Sequence, residues 1–198
     1  PFDFYIKRKL YIHNMGHATC AYLGDLLGYE YIYQSIDVPE IRVLVQNAML
    51  ESAVALHKKY DVELGGIVLH IQDLLHRFTN AALKDTCARV GGDPGRKLSP
   101  ADRLIGSASL AIAQGETPAY IAVGAAAGLR RYIAEAEGME QGMDSAKKVL
   151  KEVSELDEGS KLAAMILEMY ALILEGKTIR ELLKAADEVK AAAACRVI

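Results

Sequence analysis

Along most of the chain, apolar residues recur every three or four positions, the spacing that lines one face of an α-helix. The clearest cases are "MDSAKKVLKEVSEL", "SKLAAMILEMYALILE" and "TIRELLKAADEVKAAAA", set off by Gly138, Gly159 and Gly176. Three prolines mark further helix starts, because the first helical turn has no use for the N–H that proline lacks. Pro39, following Asp37, opens "PEIRVLVQNAMLESAVALHKKY". Ser99-Pro100 with Asp102 opens a second helix and Thr117-Pro118 a third, with the hydroxyl as cap in both. No segment alternates for long or carries a β-branched run, so strands are not expected. "YEYIYQSID" (29–37) is the nearest exception and reads as a connector, while "GGDPGRKLSP" (91–100) reads as a loop. The pattern predicts an all-α, multi-helix bundle in one domain over residues 1–198.

The first predicted helix, residues 4–27 ending near Gly28, holds the segment "KLYIHNMGH". At about 100° per residue, with Lys9 at zero, His13 falls near 40°, His17 near 80° and Asn14 near 140°. Cys20, Ala21 and Gly24 share that arc, whereas Phe4, Tyr5, Tyr11, Ile12, Met15, Tyr22, Leu23 and Leu26 cluster opposite. One face is built to pack, and the other presents nitrogen-bearing side chains above small ones. The residues alone leave three readings. The face is simply solvated; or His13 and His17, four apart, share a metal; or the face handles the oxygen of an alcohol or ketone. "HNMGH" lacks the glutamate of HExxH, and no third metal ligand is evident, since His57, His70 and His76 lie on other helices. Oxidising a secondary alcohol needs a base for the hydroxyl proton and donors that hold the oxygen as charge develops. A neutral lysine amine, an amide and an imidazole on one helical face supply that set.

Composition narrows the partners. With 52% apolar and 25% charged residues the chain belongs among globular proteins with a real core, and a net charge of −3 gives no reason to expect nucleic acid. No apolar run approaches the roughly 20 residues that span a bilayer, and "PFDFYIKRKL" lacks the apolar stretch of a secretory signal. Cys20, Cys87 and Cys195 are widely spaced and odd in number, which suggests reduced thiols in a cytoplasm, with Cys20 a small buried one. Neither strand-GxGxxG-helix nor GxxxxGK[ST] occurs, so this stretch has no nucleotide motif of its own. A first residue that is proline rather than methionine suggests a piece of a longer polypeptide.

Lys9, Asn14 and His17, in the arrangement K-x-x-x-x-N-x-x-H, resemble the signature of the polyol-specific long-chain dehydrogenases. "RFTNAALKDTCARVGGDPGRKLSPADRLIG" (77–106) is similar to the corresponding stretch of that family's bacterial mannitol-1-phosphate 5-dehydrogenase branch. The resemblance extends over essentially the whole chain and matches the C-terminal, substrate-binding domain. It implies a helical bundle like the C-terminal domain of 6-phosphogluconate dehydrogenase-like enzymes. It also implies an upstream Rossmann domain of the same polypeptide that binds NAD, no metal, and a cleft between the two domains. By carry-over Lys9 is the general base, while Asn14 and His17 polarise the carbonyl or stabilise the alkoxide. The implied reaction interconverts D-mannitol 1-phosphate and fructose 6-phosphate. In the mannitol 2-dehydrogenase branch an acidic residue stands three positions before the lysine; here Ile6 does, which bears on a proton relay from that position and not on the base itself.

From His76 to Arg103 there are six basic side chains (Arg77, Lys84, Arg89, Arg96, Lys97, Arg103) against three acidic ones, a positive island in a negative chain. A dianionic sugar phosphate would be drawn there. The resemblance makes Arg77 and Asn80 the first candidates for substrate contact, with Arg103, Arg96 and Lys97 belonging to the phosphate-using pattern and His13 beside them on the first helix. The alternative is that these cations pair with Asp93 and Asp102 and anchor the loop. His57, beside Lys58 and Lys59 at a helix end, is expected to complement the helix dipole. Two other functions stay open: a substrate domain for an unphosphorylated polyol or hexuronate, and a non-catalytic helical interaction module.

Overall fold

The computed structural model of the chain describes residues 2–195. Among these the elements run α1 (Phe2–Arg8), a π-helical segment (Lys9–Asn14), α2 (Met15–Leu26), α3 (Ile32–Ile36), α4 (Pro39–Tyr60) and α5 (Leu64–Phe78). A 3-10 turn (Ala81–Leu83), α6 (Cys87–Gly91), α7 (Pro94–Lys97) and α8 (Ile105–Ala113) follow. The C-terminal part comprises α9 (Ala119–Glu135), α10 (Met143–Glu152), α11 (Lys161–Leu174) and α12 (Ile179–Ala194). No strand occurs among the described residues, and the one β-type pairing there is an isolated antiparallel bridge, Tyr31 to Thr86. No described helix is long and apolar enough to cross a membrane.

The bundle is organised on α9, which packs against α2, α4 and α11. Its sequence "AYIAVGAAAGL" is apolar all round, and Ala119 and every residue from Ile121 to Leu129 is buried, as expected of a helix with neighbours on each side. Small residues let α2 and α9 approach closely. A Cβ on Gly124 would overlap the Thr19 side chain, with Thr19 Cγ2 only 2.9 Å away. The α2 face toward α4 is set the same way, since a Cβ on Gly16 would sit 2.7 Å from Met49 Sδ.

The helix starts divide by the kind of signal that marks them. Pro39 opens α4 as the sequence predicts, and Ser160 and Thr178 cap α11 and α12, Thr178 in a capping box with Glu181. Thr117-Pro118 differs: α9 begins at Ala119 without help from Thr117. The Glu51 carboxylate of α4 accepts the Tyr120 and Ile121 N–H groups at 3.3 and 3.0 Å instead. Ser99-Pro100 also departs from expectation. Residues 98–104 form turns, and the helix starts only at Ile105. Asp102 spends its carboxylate on its neighbour, accepting from the Arg103 N–H at 2.6 Å and from Arg103 Nε at 2.7 Å. The connector 29–37 contains α3, where Gln34 Oε1 accepts the Tyr31 N–H at 2.9 Å, and the loop 91–100 contains α7, capped by Asp93. His57 Nδ1 lies 2.6 Å from the Val62 carbonyl, so it closes the turn after α4 and does not merely face the helix end.

Candidate active site

The first helix is continuous from Phe2 to Leu26 but is not α-helical throughout, because Lys9–Asn14 is wound as a π-helix. The Met15 N–H reaches back to the Leu10 carbonyl, five residues away. Such i→i+5 turns are rare and concentrate at functional sites. The geometric consequence is specific to K-x-x-x-x-N. Where the ladder skips one extra residue, positions five apart are separated by a smaller angle about the axis, so Lys9 and Asn14 lie nearer one face than a regular 100° wheel gives. The expectation of one uninterrupted α-helix over 4–27 is corrected accordingly.

Across from this segment lies α5, and between them opens a small cleft lined by His13, His17, Ile32, Tyr33, Arg77, Phe78, Asn80, Leu83 and Asp85. Of the nine candidate residues, the fold brings four into this lining: His13, His17, Arg77 and Asn80. The His17 ring stacks on Phe78, with centroids 4.8 Å apart and planes within 15°, and His13 stands 6.0 Å from His17 and 6.1 Å from Phe78. Asn80 Oδ1 accepts the Ala82 N–H at 3.0 Å, which commits the amide oxygen to the turn that follows.

Lys9 is exposed and lies outside the lining, yet it is near enough that its charge opposes protonation of His13. Asn14 is half-buried and also outside the lining. The remaining candidates have internal partners. Arg103 pairs with Asp102, and Arg96 Nε lies 3.0 Å from Asp93 Oδ2. Lys97 is buried and donates to the Gly92 carbonyl.

Electrostatically the cleft favours neutral imidazoles. Burial lowers the His13 pKa, with Arg77, His70 and Lys9 adding to the effect. Burial drives His17 down to about 4, against the opposing pull of Asp85, and His13, Arg89 and Arg103 push the same way as burial. Burial pushes the Cys20 thiol up to about 12, in keeping with a packed, unreactive side chain. Among the described residues, no three His, Cys, Asp or Glu side chains are grouped to hold a metal. Sequence reading missed Phe78, Asp85, Tyr33, Ile32 and Leu83. Phe78 could have been found beside Arg77 on α5. Asp85 could not, because it reaches His17 only through the Tyr31–Thr86 bridge, a pairing 55 residues apart.

The chain matches the mannitol dehydrogenase C-terminal domain family over residues 2–190. It belongs to that family. It is 41% identical over 180 residues to the mannitol-1-phosphate 5-dehydrogenase of Caldanaerobacter subterraneus subsp. tengcongensis, an alignment covering 88% of this chain and 46% of the relative. It is 36% identical over 176 residues to the protein of that name from Thermoanaerobacter pseudethanolicus, covering 78% and 45% respectively. The chain thus spans about half the length of the curated relatives it matches. The fold is shared with Pseudomonas fluorescens mannitol 2-dehydrogenase, solved as a ternary complex with NAD and D-mannitol. The TM-score is 0.73 at 18% identity, covering 91% of this chain and 40% of that one. A D-sorbitol dehydrogenase gives a TM-score of 0.65 at 18% identity, covering 94% and 41%.

Proposed function

We propose that this chain is the substrate-binding and catalytic half of a cytoplasmic, NAD-dependent mannitol-1-phosphate 5-dehydrogenase, interconverting D-mannitol 1-phosphate and fructose 6-phosphate. The observation that carries the reading is the convergence of His13 and His17 from the first helix with Arg77 and Asn80 from the end of α5 on one cleft. The relatives at 36–41% identity, named for that enzyme, supply the substrate class.

The described residues hold no strand followed by the glycine loop of a Rossmann dinucleotide fold. The reading therefore assigns NAD, the hydride carrier, to an N-terminal Rossmann domain of the same polypeptide. On this chain the work concerns the oxygen and its proton. Lys9, as free amine, takes the hydroxyl proton in oxidation and returns it in reduction. The Asn14 amide donates to the reacting oxygen, and the His17 imidazole makes a hydrogen bond to the substrate beside it. Arg77 is the cleft-lining cation available to a phosphate, where a guanidinium binds two oxygens at once. Arg103 adds positive potential near His17, and Arg96 and Lys97 brace the loop that carries it.

A second reading, an unphosphorylated polyol or hexuronate, draws on the fact that Arg96, Lys97 and Arg103 are all engaged by protein groups. The test extends the chain with the nucleotide-binding half of the Caldanaerobacter relative and measures NADH-dependent reduction of fructose 6-phosphate and fructose. The proposal expects the phosphorylated ketose to be strongly preferred, and Arg77→Ala to raise its KM at least tenfold with little effect on fructose. Equal turnover of the two ketoses, unaltered by Arg77→Ala, would favour the second reading.

A further inference from the structure

His17 is held on two sides. Phe78 covers one face of the ring, and Asp85 Oδ2 lies 3.4 Å from Nε2. Asp85 is itself fixed in place. The Ile32 N–H donates to its carbonyl at 2.9 Å, the Cys87 N–H donates to the Glu30 carbonyl at 2.8 Å, and the Arg89 guanidinium holds the other carboxylate oxygen, Oδ1. One carboxylate therefore stands between two groups, with Arg89 on Oδ1 and the His17 ring 3.4 Å from Oδ2. Of the two ring nitrogens, Nε2 is the one that faces the carboxylate.

We propose that Asp85 is a positioning residue for His17, accepting the Nε2 proton and thereby fixing the neutral ring in the tautomer whose Nδ1 lone pair is left for substrate. The charged and titratable groups facing the ring are Asp85, His13, Arg89 and Arg103. With burial dominant among these influences the ring is neutral near pH 7, so tautomer rather than charge decides what it can do. An imidazole held this way accepts a hydrogen bond from a substrate hydroxyl. It does not donate to the developing oxyanion, and that task passes to the Asn14 amide and the Lys9 ammonium. This division of labour rests on the function proposed above; the tautomer itself does not.

The test is a long-range ¹H–¹⁵N correlation spectrum of the chain with ¹⁵N-labelled histidine at pH 7, with His17 assigned by loss of its signals in His17→Gln. The expected result is the Nε2–H pattern for His17. Asp85→Asn should reverse it: Arg89, which can only donate, keeps the single amide oxygen, and the NH₂ turned toward Nε2 makes that nitrogen the acceptor. Asp85→Ala should raise the Nδ1–H population several-fold. An Nδ1–H wild type, or an Asp85→Asn protein that keeps the wild-type pattern, overturns the assignment. The wild-type spectrum needs no variant to fold. Absence of dehydrogenase activity alongside the expected tautomer would count against the proposed function and leave Asp85 in its role.

Discussion

Glu51 offers a measurement that isolates one buried group. It sits on α4 with 4% of its surface exposed, accepts the first free N–H groups of α9, and lies 3.3 Å from Lys190 Nζ of α12. Burial pushes its pKa from the ordinary 4.5 up to about 7, outweighing Lys190 and the two N–H donors, which pull it down. Because the folded value is the raised one, the folded chain holds a proton that the unfolded chain releases between pH 4.5 and 7. Stability from this group is thus full below pH 4.5 and is lost as pH climbs toward 7. At about 1.4 kcal/mol per tenfold, the whole loss is about 3 kcal/mol, of which roughly 2.5 falls between pH 5 and 8. Glu51→Gln keeps an acceptor for the Ile121 N–H and removes the titration. Urea unfolding of both proteins at the two pH values gives a double difference in which the other titrating groups cancel. The wild type should lose about 2.5 kcal/mol more than the variant on going from pH 5 to 8. A double difference within about 0.5 kcal/mol of zero, or of opposite sign, would show that Lys190 and the helix N-terminus overcome burial, contrary to this expectation.

Other expectations concern single contacts. Lys9→Met should leave the unfolding midpoint nearly unchanged, because Lys9 is exposed, yet lower kcat at least about 100-fold once the nucleotide-binding half is supplied; undiminished turnover would remove Lys9 from the mechanism. Gly124→Ala forces a methyl into Thr19 and should cost about 1–3 kcal/mol in chemical denaturation, with relief in the Gly124→Ala/Thr19→Ala double variant. Thr178→Ala removes the side chain that caps α12 and should cost about 1 kcal/mol, read as a lower Tm in a thermal melt.

The features legible in the chain alone are those set by local physics. The 3.6-residue periodicity, Pro39 and the caps at Ser160 and Thr178 specify helices from contacts within a few residues, so α4, α11 and α12 can be read directly from the order of side chains. The family motif likewise locates Lys9, Asn14 and His17 on one helix. Other features depend on partners that lie far away in the chain. Glu51 replaces Thr117 as the cap of α9 from about 70 residues upstream. A wheel at fixed pitch has no means of finding the π-turn over Lys9–Asn14. The positive island between His76 and Arg103 is real as a count of charges, but folding directs Arg77 to the cleft and ties Arg96, Lys97 and Arg103 to protein oxygens. Asp85 has no local pattern to announce it; only pairing with the α2–α3 connection carries its carboxylate to the imidazole. Spacing specifies the long amphipathic helices, whereas the partner of each buried charge is chosen by packing, since a desolvated group takes whatever donor or acceptor the assembled core provides.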